Sequence, residues 1–381
     1  MRRFLCFIFL CLAPTNAKAE FPHWQKDQIA RLIEWLDAAK DDGLGPAASE
    51  AATVRDALQT PDTPRLDSVA TAAAISLLRA HRNGCCNASL RTGWHIDNGI
   101  ALTDPLAAVT DAVRLNRLDE LFGTARPSHP YYYALRQAFS RETDPERRKI
   151  LAANLDRWRW MPRVLGERYL MVNTASFEAS LWEARKEIGR WEVIVGKTGS
   201  PTPVFSARVT GVILNPWWEI PSSIVAESVG ALVRNKPAEA TRRGYVVQDG
   251  RYRQRPGATN ALGRMKLVMP NPYSVYLHDT PSQSLFDRDV RAFSHGCVRV
   301  GDALGLATTL LSADPAWDRK RVDAAVATGR TVKVDLLQPI PVYVTYFTAE
   351  SDANGGIRYF PDIYKRDKGA TTSDGSERCT Q

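Results

Sequence analysis

YLHDTPSQSLFDRDVRAFSHGCVRV, residues 276–300, is the stretch on which the reading of the whole chain turns. Its cysteine, Cys297, stands directly behind His295 and Gly296, in polar, flexible company that a buried structural cysteine does not require. A second histidine, His278, precedes the thiol by 19 residues and closes the run YSVYLH, which reads as a β-strand. Two strands of a β domain can bring His278 across to Cys297, where an imidazole within hydrogen-bond reach activates a thiol. Gly296 admits backbone angles closed to other residues and leaves N–H groups free to converge on a developing oxyanion. These parts suit acyl transfer. His278, His295 and Cys297 also meet the chemistry of a two-histidine, one-cysteine zinc site, and spacing alone does not separate the two readings.

Working outward, the chain has a β-prone texture from about residue 168. The short runs YLMVN, EVIVGK, RVTGVIL, MKLVM, TVKVDLL and PVYVTYF are punctuated by Gly, Pro and Asn. NPWWEIPSSIV (215–225) interrupts this pattern with a Trp- and Pro-rich insertion, followed by a helical stretch at 222–234. Nine basic residues then lie between Arg234 and Lys266 against only Glu239 and Asp249. Such a stretch steers an anionic substrate by its field, or else forms a solvated face. Asp302 is the expected N-cap of a helix over 302–312.

Before residue 168 the pattern is helical. In 24–40, Ile29, Leu32, Ile33 and Leu36 share one face and Gly43 follows as a stop. Further helices are expected over 67–82 with Asp67 as N-cap, and over 104–121, 131–140 and 145–159. The polar tail over 349–381 is expected to be disordered.

The first 19 residues join Arg2 and Arg3 to an apolar run and a small-x-small site at Ala17-Lys18-Ala19, the pattern of a secretory signal peptide. The run is shorter than the ~20 residues that span a bilayer, and no later segment is longer. The expected mature protein, 20–381, is exported and not inserted in a membrane, and nucleic acid is not an expected partner. Loss of Arg2, Arg3 and Lys18 takes the formal charge of the 381-residue chain from +8 to +5. Four cysteines then remain, Cys85, Cys86, Cys297 and Cys379, in a chain too large to need a disulfide framework. Cys85 and Cys86 have no CxxC partner pair elsewhere, which favours a helix-end or loop role over zinc.

SHGCVR with the upstream HDTP resembles the active-site signature of the L,D-transpeptidases of the YkuD fold. The residues carrying the resemblance are Tyr276, His278, Asp279, Thr280, Pro281, Arg291, Ser294, His295, Gly296, Cys297 and Arg299. DRWRWMP (156–162), VIVGKTGSPTPVF (193–205) and NPWWEIPSSI (215–224) are similar to the larger Gram-negative members that carry a lid, so the likeness spans roughly 130–345. It implies an α+β chain: a helical scaffold domain over 20–164, then a mostly β catalytic domain over 165–348 with a lid at about 215–258. RETDPERRKILAANLDRWRW passes from one to the other with no room for the peptidoglycan-binding insertion that larger relatives often carry.

The resemblance also implies roles. Cys297 would be the nucleophile and His278 the base, with the backbone N–H groups of His295, Gly296 and Cys297 lining the oxyanion pocket. Asp279 or a nearby carbonyl would orient His278, while Ser294 and Arg299 would position the loop. The substrate would be a peptidoglycan stem peptide, cleaved at its terminal D-alanine and joined to a second stem as a 3–3 cross-link. A wall-attached protein is another acceptor this chemistry admits. No metal and no organic cofactor is implied. Tyr276 and the lid residues Trp217, Trp218, Arg251 and Arg253 are expected to bind substrate, the tryptophans by apolar contact and the arginines through stem carboxylates. Hydrolysis of the same acyl-enzyme, as an L,D-carboxypeptidase or endopeptidase, and a non-catalytic wall-binding scaffold are the alternatives.

Overall fold

A computed structural model describes residues 21–84, 88–99, 104–352 and 355–368. The expected signal peptide, Cys85, Cys86, Cys379 and the residues beyond 368 fall outside these residues. The first helices are α1 (Lys26–Ala38), α2 (Pro46–Leu58), α3 (Thr63–Asn83), α4 (Pro105–Arg114) and α5 (Leu118–Ala125). Ile29, Leu32 and Leu36 of α1 face Val54, Ala70, Ala74, Leu77, Val109 and Phe122 in one apolar cluster, as the 3.6-residue period requires. Asp67 is not a cap: Asp62 accepts from Arg65 N at the start of α3, and Asp67 turns inward to accept from Trp24 N at 2.9 Å. The helix expected over 104–121 is two, divided at Asn116, whose φ is 53°.

Two further helices, α6 (Pro130–Arg141) and α7 (Pro145–Arg159), pack on the β-rich part of the chain instead. The apolar cluster they form with its sheet runs straight across the boundary expected at 164/165.

The strands are β1 (Trp94–His95), β2 (Arg168–Asn173), β3 (Glu178–Glu183), β4 (Lys186–Gly196), β5 (Val204–Leu214), β6 (Trp218–Glu219), β7 (Tyr245–Gln248), β8 (Arg251–Gln254), β9 (Met265–Val268), β10 (Leu277–His278), β11 (Ala292–Ser294), β12 (Val298–Val300), β13 (Val332–Thr345), β14 (Ala349–Ser351) and β15 (Ile357–Tyr359). The main sheet has the order β1-β5-β13-β2-β3-β4-β12-β10-β9, and β9 pairs again with β5, so the sheet curls into a closed ring. Strand alternation divides its residues between two cores. Leu170, Val172, Leu181, Val193, Val195, Val298 and Val300 point inward, against Leu306 and Leu310 of α11 (Ala303–Leu311) and Val322 and Val326 of α12 (Arg319–Ala327). Tyr169, Met171, Trp182 and Tyr343 point outward, against Tyr132, Leu151 and Trp158 of α6 and α7. Asp302 caps α11 as expected, accepting from Gly305 N at 2.9 Å.

The runs TVKVDLL and PVYVTYF form the single strand β13, whose pairing with β5 is irregular between Asp335 and Ile340. Pro339 and Pro341 lack the N–H that a regular ladder needs there. Nor are the described residues after 348, namely 349–352 and 355–368, the disordered tail expected there. Strands β14 and β15 pair, and Phe360, Ile363 and Tyr364 pack into the outer core.

A buried polar cluster joins the first helices to α6 and α7. Asp42 is fully buried; it accepts from Arg126 at 2.9 Å and Tyr132 Oη at 2.8 Å, and pairs with Arg136 at 3.1 Å. Arg159 of α7, 1% exposed, donates to the Asp42 carbonyl, to Asp156 and to Tyr132 Oη. Removing one partner of such a buried set leaves the others uncompensated, at a cost of about 3–5 kcal/mol. Asp42→Ala is therefore expected to lower unfolding free energy by about that amount in urea titrations. Breaking the exposed Arg31–Glu34 pair should cost under ~1 kcal/mol.

Candidate active site

The insertion after β5 forms a lid with its own small core. Strands β6, β8 and β7 make a three-stranded sheet. Helices α8 (Ser222–Ile224), α9 (Gly230–Asn235) and α10 (Pro237–Arg242) pack beside it, with one π turn (Val225–Val229) between the first two. Trp218, Ile220, Val229 and Leu262 are its buried residues. Asn215 N donates to Arg264 O at 2.8 Å, which closes the base of the lid at 264, six residues beyond the expected end. Asn215 Nδ2 binds the Val326 and Arg330 carbonyls at 3.0 and 3.1 Å, anchoring that base to α12 and the loop after it.

Under the lid lies a cavity of about 320 Å³ lined by Trp218, Tyr276, His278, Ser294, His295, Cys297 and Arg299, among others. Strands β10 and β12 pair in parallel, Leu277 with Val298 and His278 with Arg299, so the imidazole and the thiol open onto one space. His278 is 5% exposed, and its Nδ1 lies 2.5 Å from the Asp279 carbonyl. A carbonyl only accepts, so Nδ1 carries the proton and Nε2 keeps its lone pair. The orienting group is thus the backbone of Asp279. Its carboxylate turns away and accepts from Arg264 N at 2.7 Å, tying the lid base to the turn after β10.

Burial, aided by Arg299 and Lys266, takes His278 down to about 3 against the pull of its carbonyl hydrogen bond. Burial also pushes the Cys297 thiol up, against a backbone hydrogen bond from Tyr276 and the charges of Lys266 and Arg299. At neutral pH both partners rest uncharged. A thiolate–imidazolium pair is therefore disfavoured in the resting protein. The Cys297 Sγ lies 3.8 Å from the Ser274 carbonyl.

The loop that carries Cys297 is held from behind. Gly296 has φ 117°, a conformation that favours glycine. Its N–H donates to Ser294 Oγ at 3.0 Å, and Ser294 Oγ donates to the Cys297 carbonyl at 2.5 Å. Ser294 thus ties the two ends of the loop together, and the Gly296 N–H, expected to line an oxyanion pocket, is engaged by it. The His295 and Cys297 N–H groups have no hydrogen-bond acceptor among the described residues. The His295 side chain is turned outward, donating to Glu227 of the lid at 2.9 Å, with Lys197 Nζ at 3.8 Å from the same carboxylate. The hydrogen bond from His295 leads the causes that hold the Glu227 carboxyl below its usual range. Thr202 Oγ1 accepts from Gly196 N and donates to the Gly296 carbonyl, each at 2.9 Å. Tyr364 Oη donates to the Gly196 carbonyl at 2.6 Å.

Of the expected substrate contacts, Tyr276 and Trp218 line the cavity, whereas Trp217, Arg251 and Arg253 do not. Arg253 is satisfied inside the lid. Its Nε donates to Glu219 at 2.6 Å and its guanidinium sits 4.5 Å above the Trp217 ring, so it is not a free cation for substrate. Arg251 is exposed beside the β7–β8 turn. Glu227, Thr202, Tyr364 and Lys266 bear on the site without having been expected there. Among the described residues no group of three His, Cys, Asp or Glu side chains is placed to hold a metal ion.

Residues 167–334 match the YkuD family model, described as the L,D-transpeptidase catalytic domain. Residues 16–139 match the model of a Scaffold domain. The chain thus carries a YkuD L,D-transpeptidase catalytic domain behind an N-terminal Scaffold domain. A protein of Haemophilus influenzae named "Putative L,D-transpeptidase" is 32% identical over 238 residues, covering 57% of this chain and 48% of its own. The chain therefore spans about half the length of that relative. Among solved structures, an L,D-transpeptidase from Mycobacterium tuberculosis H37Rv is 14% identical over 47% of this chain and 57% of that one, with a TM-score of 0.26. L,D-transpeptidase 3 from Mycobacterium tuberculosis in complex with a faropenem-derived adduct is 16% identical, covering 47% of this chain and 60% of that one, also with a TM-score of 0.26. Nothing further rests on overlap at that level.

The two neutral resting groups predict how the thiol titrates. Alkylation of Cys297 by iodoacetamide should be slow at neutral pH and climb through the alkaline range, because the folded thiol sits above its ordinary value. A rate already at its plateau near pH 6 would instead mark a preformed thiolate–imidazolium pair.

Proposed function

We propose that this protein is an exported peptidoglycan L,D-transpeptidase that works through a Cys297 thioester. The observation that carries the reading is the shared cavity of Cys297 and His278, the latter fixed by Asp279 O with Nε2 unprotonated, inside a YkuD catalytic domain. Sγ attacks the carbonyl joining the third stem residue to the terminal D-alanine, and His278 Nε2 takes the thiol proton. The His295 and Cys297 N–H groups receive the oxyanion. Collapse of the intermediate breaks the C–N bond, and the imidazolium returns its proton to the departing D-alanine amine. A side-chain amine of a second stem then attacks the thioester, His278 accepts its proton, and Sγ leaves as the 3–3 cross-link forms.

The lid supports acceptor choice by an amine. Trp218, Ile224 and Leu262 roof the cavity with apolar surface, which limits competing water. A wall-attached protein bearing a free amine would enter by the same route. The periplasm is the compartment in which such a substrate lies. Among the described residues no helix is long and apolar enough to cross a membrane.

Incubation with tetrapeptide muropeptides, read by mass spectrometry, is expected to show a thioester on Cys297, free D-alanine and a 3–3 dimer. Tripeptide alone would make the protein an L,D-carboxypeptidase, and unchanged turnover in Cys297→Ala would sink the reading. His278→Ala should slow acylation by about 10²–10⁴-fold. A carbapenem should add its mass to the wild type and not to Cys297→Ala.

A further inference from the structure

We propose that Arg299, backed by Lys266, is the subsite for the free terminal carboxylate of the donor peptide. This rests on the acyl-transfer reading of Cys297 and adds to it the group that selects the substrate. The sheet places three side chains in one row, since His278 is the register partner of Lys266 on β9 and of Arg299 on β12. Register partners project from the same face, so the base stands between two cations. Arg299 lines the cavity beside Cys297, two residues along the chain or roughly 7 Å at the rise of an extended strand.

Neither cation is neutralised by the protein. Arg299 and Lys266 are both half-buried, yet among the described residues neither has a salt bridge or a hydrogen-bond acceptor. Lys266 Nζ lies 3.6 Å above the Tyr276 ring, which holds it without cancelling its charge. Arg291, at the start of the same loop, shows the ordinary arrangement: it pairs with Glu192 at 3.2 Å and binds the Phe177 carbonyl at 3.1 Å. The nearby acids are committed elsewhere, Asp279 to Arg264 N and Asp302 to the cap of α11. Burial draws both cations below their usual range, as expected of desolvated groups awaiting an anion.

The substrate supplies that anion next to the reacting carbon. In a donor ending in a D-amino acid, the terminal carboxylate carbon is three bonds from the scissile carbonyl carbon, and a planar guanidinium is suited to grip it. A side-chain carboxylate on the third residue is the other source of the same chemistry, several bonds further away.

The test compares tetrapeptide donors ending in D-alanine with the same donors ending in D-alaninamide, each with diaminopimelate or lysine at the third position. Thioester formation on Cys297 is the readout. Wild type should favour the acid over the amide about 10- to 100-fold in kcat/KM. Arg299→Gln should bring the acid down to the level of the amide measured in the same variant and so abolish the preference. Arg299→Lys should retain part of it, and Lys266→Met should weaken it less. Comparing acid with amide in each variant cancels any change in the thiol itself. An acid preference that survives Arg299→Gln overturns the proposal, as does a preference that tracks the third residue instead of the terminus.

A second readout does not depend on turnover. N-acetyl-D-alanine should protect Cys297 from iodoacetamide in wild type but not in Arg299→Gln, and its amide should protect neither. Protection without thioester would retain the subsite and remove the acyl-transfer reading. Thioester formation with neither an acid preference nor protection would do the reverse.

Discussion

Helix α7 is the constraint that holds the rest of the molecule in place. From Leu151 to Arg159 every side chain is buried, including two arginines that point to different parts of the chain. Arg159 faces the scaffold helices through Asp42 and Tyr132. Arg157 faces the C-terminal segment, donating to Thr348 Oγ1 at 3.0 Å and to Asp367 at 2.6 Å. Trp158 stacks on Phe347 at 4.8 Å and so joins the outer core of the sheet. A helix buried on all sides is stable only where its polar groups find partners, and these two arginines find them in the scaffold and in the C-terminal segment. The helix falls between the two family-model matches, 16–139 and 167–334, where it acts as a structural joint and not as a spacer.

What α7 does for the fold, the parallel pairing of β10 with β12 does for the chemistry. A parallel pair needs a long crossover, and here residues 279–297 supply it while carrying the loop that ends in Cys297. His278 then stands on the first strand and the Cys297 thiol at the entry of the second. Burial keeps both neutral, and the Asp279 carbonyl selects the reactive nitrogen. The lid adds a roof whose edge is pinned to the Cys297 loop by Glu227 and His295. The lid and the loop are therefore coupled at an exposed hydrogen bond, for which water competes.

The chemistry was legible where it is local. Cys297, Gly296, Ser294 and His278 sit within one stretch of 25 residues, and alternation in YSVYLH was enough to call for a strand, although only Leu277 and His278 of it are extended in the sheet. Lys266 was not legible, because its place beside His278 comes from cross-strand register, which no local pattern encodes. Arg253 misled for the opposite reason. Its charge is visible in the sequence, but its partners Glu219 and Trp217 lie some 35 residues earlier. Strand β3, EASLWE, went unread because the short run carries polar residues at positions that neighbouring strands cover. Asp67 had the chemistry of a cap, yet Asp62 ahead of Thr63-Pro64 was the better placed. The C-terminal segment looked polar in aggregate, and its few apolar residues, Ile357, Phe360, Ile363 and Tyr364, decide its packing.

That segment has a consequence in time. The wall behind Cys297 runs from Gly296 through Thr202 to Gly196, and its last support is the hydroxyl of Tyr364, 67 residues further along the chain than the cysteine. Strand β13, which bridges β2 and β5, is also synthesised after the loop that carries the thiol. A ribosome therefore finishes the reactive residues well before the parts that hold them in register. The nascent chain passes through a long interval in which its cysteine is present but the surroundings that tune it are not, an interval that closes only once Tyr364 is in place.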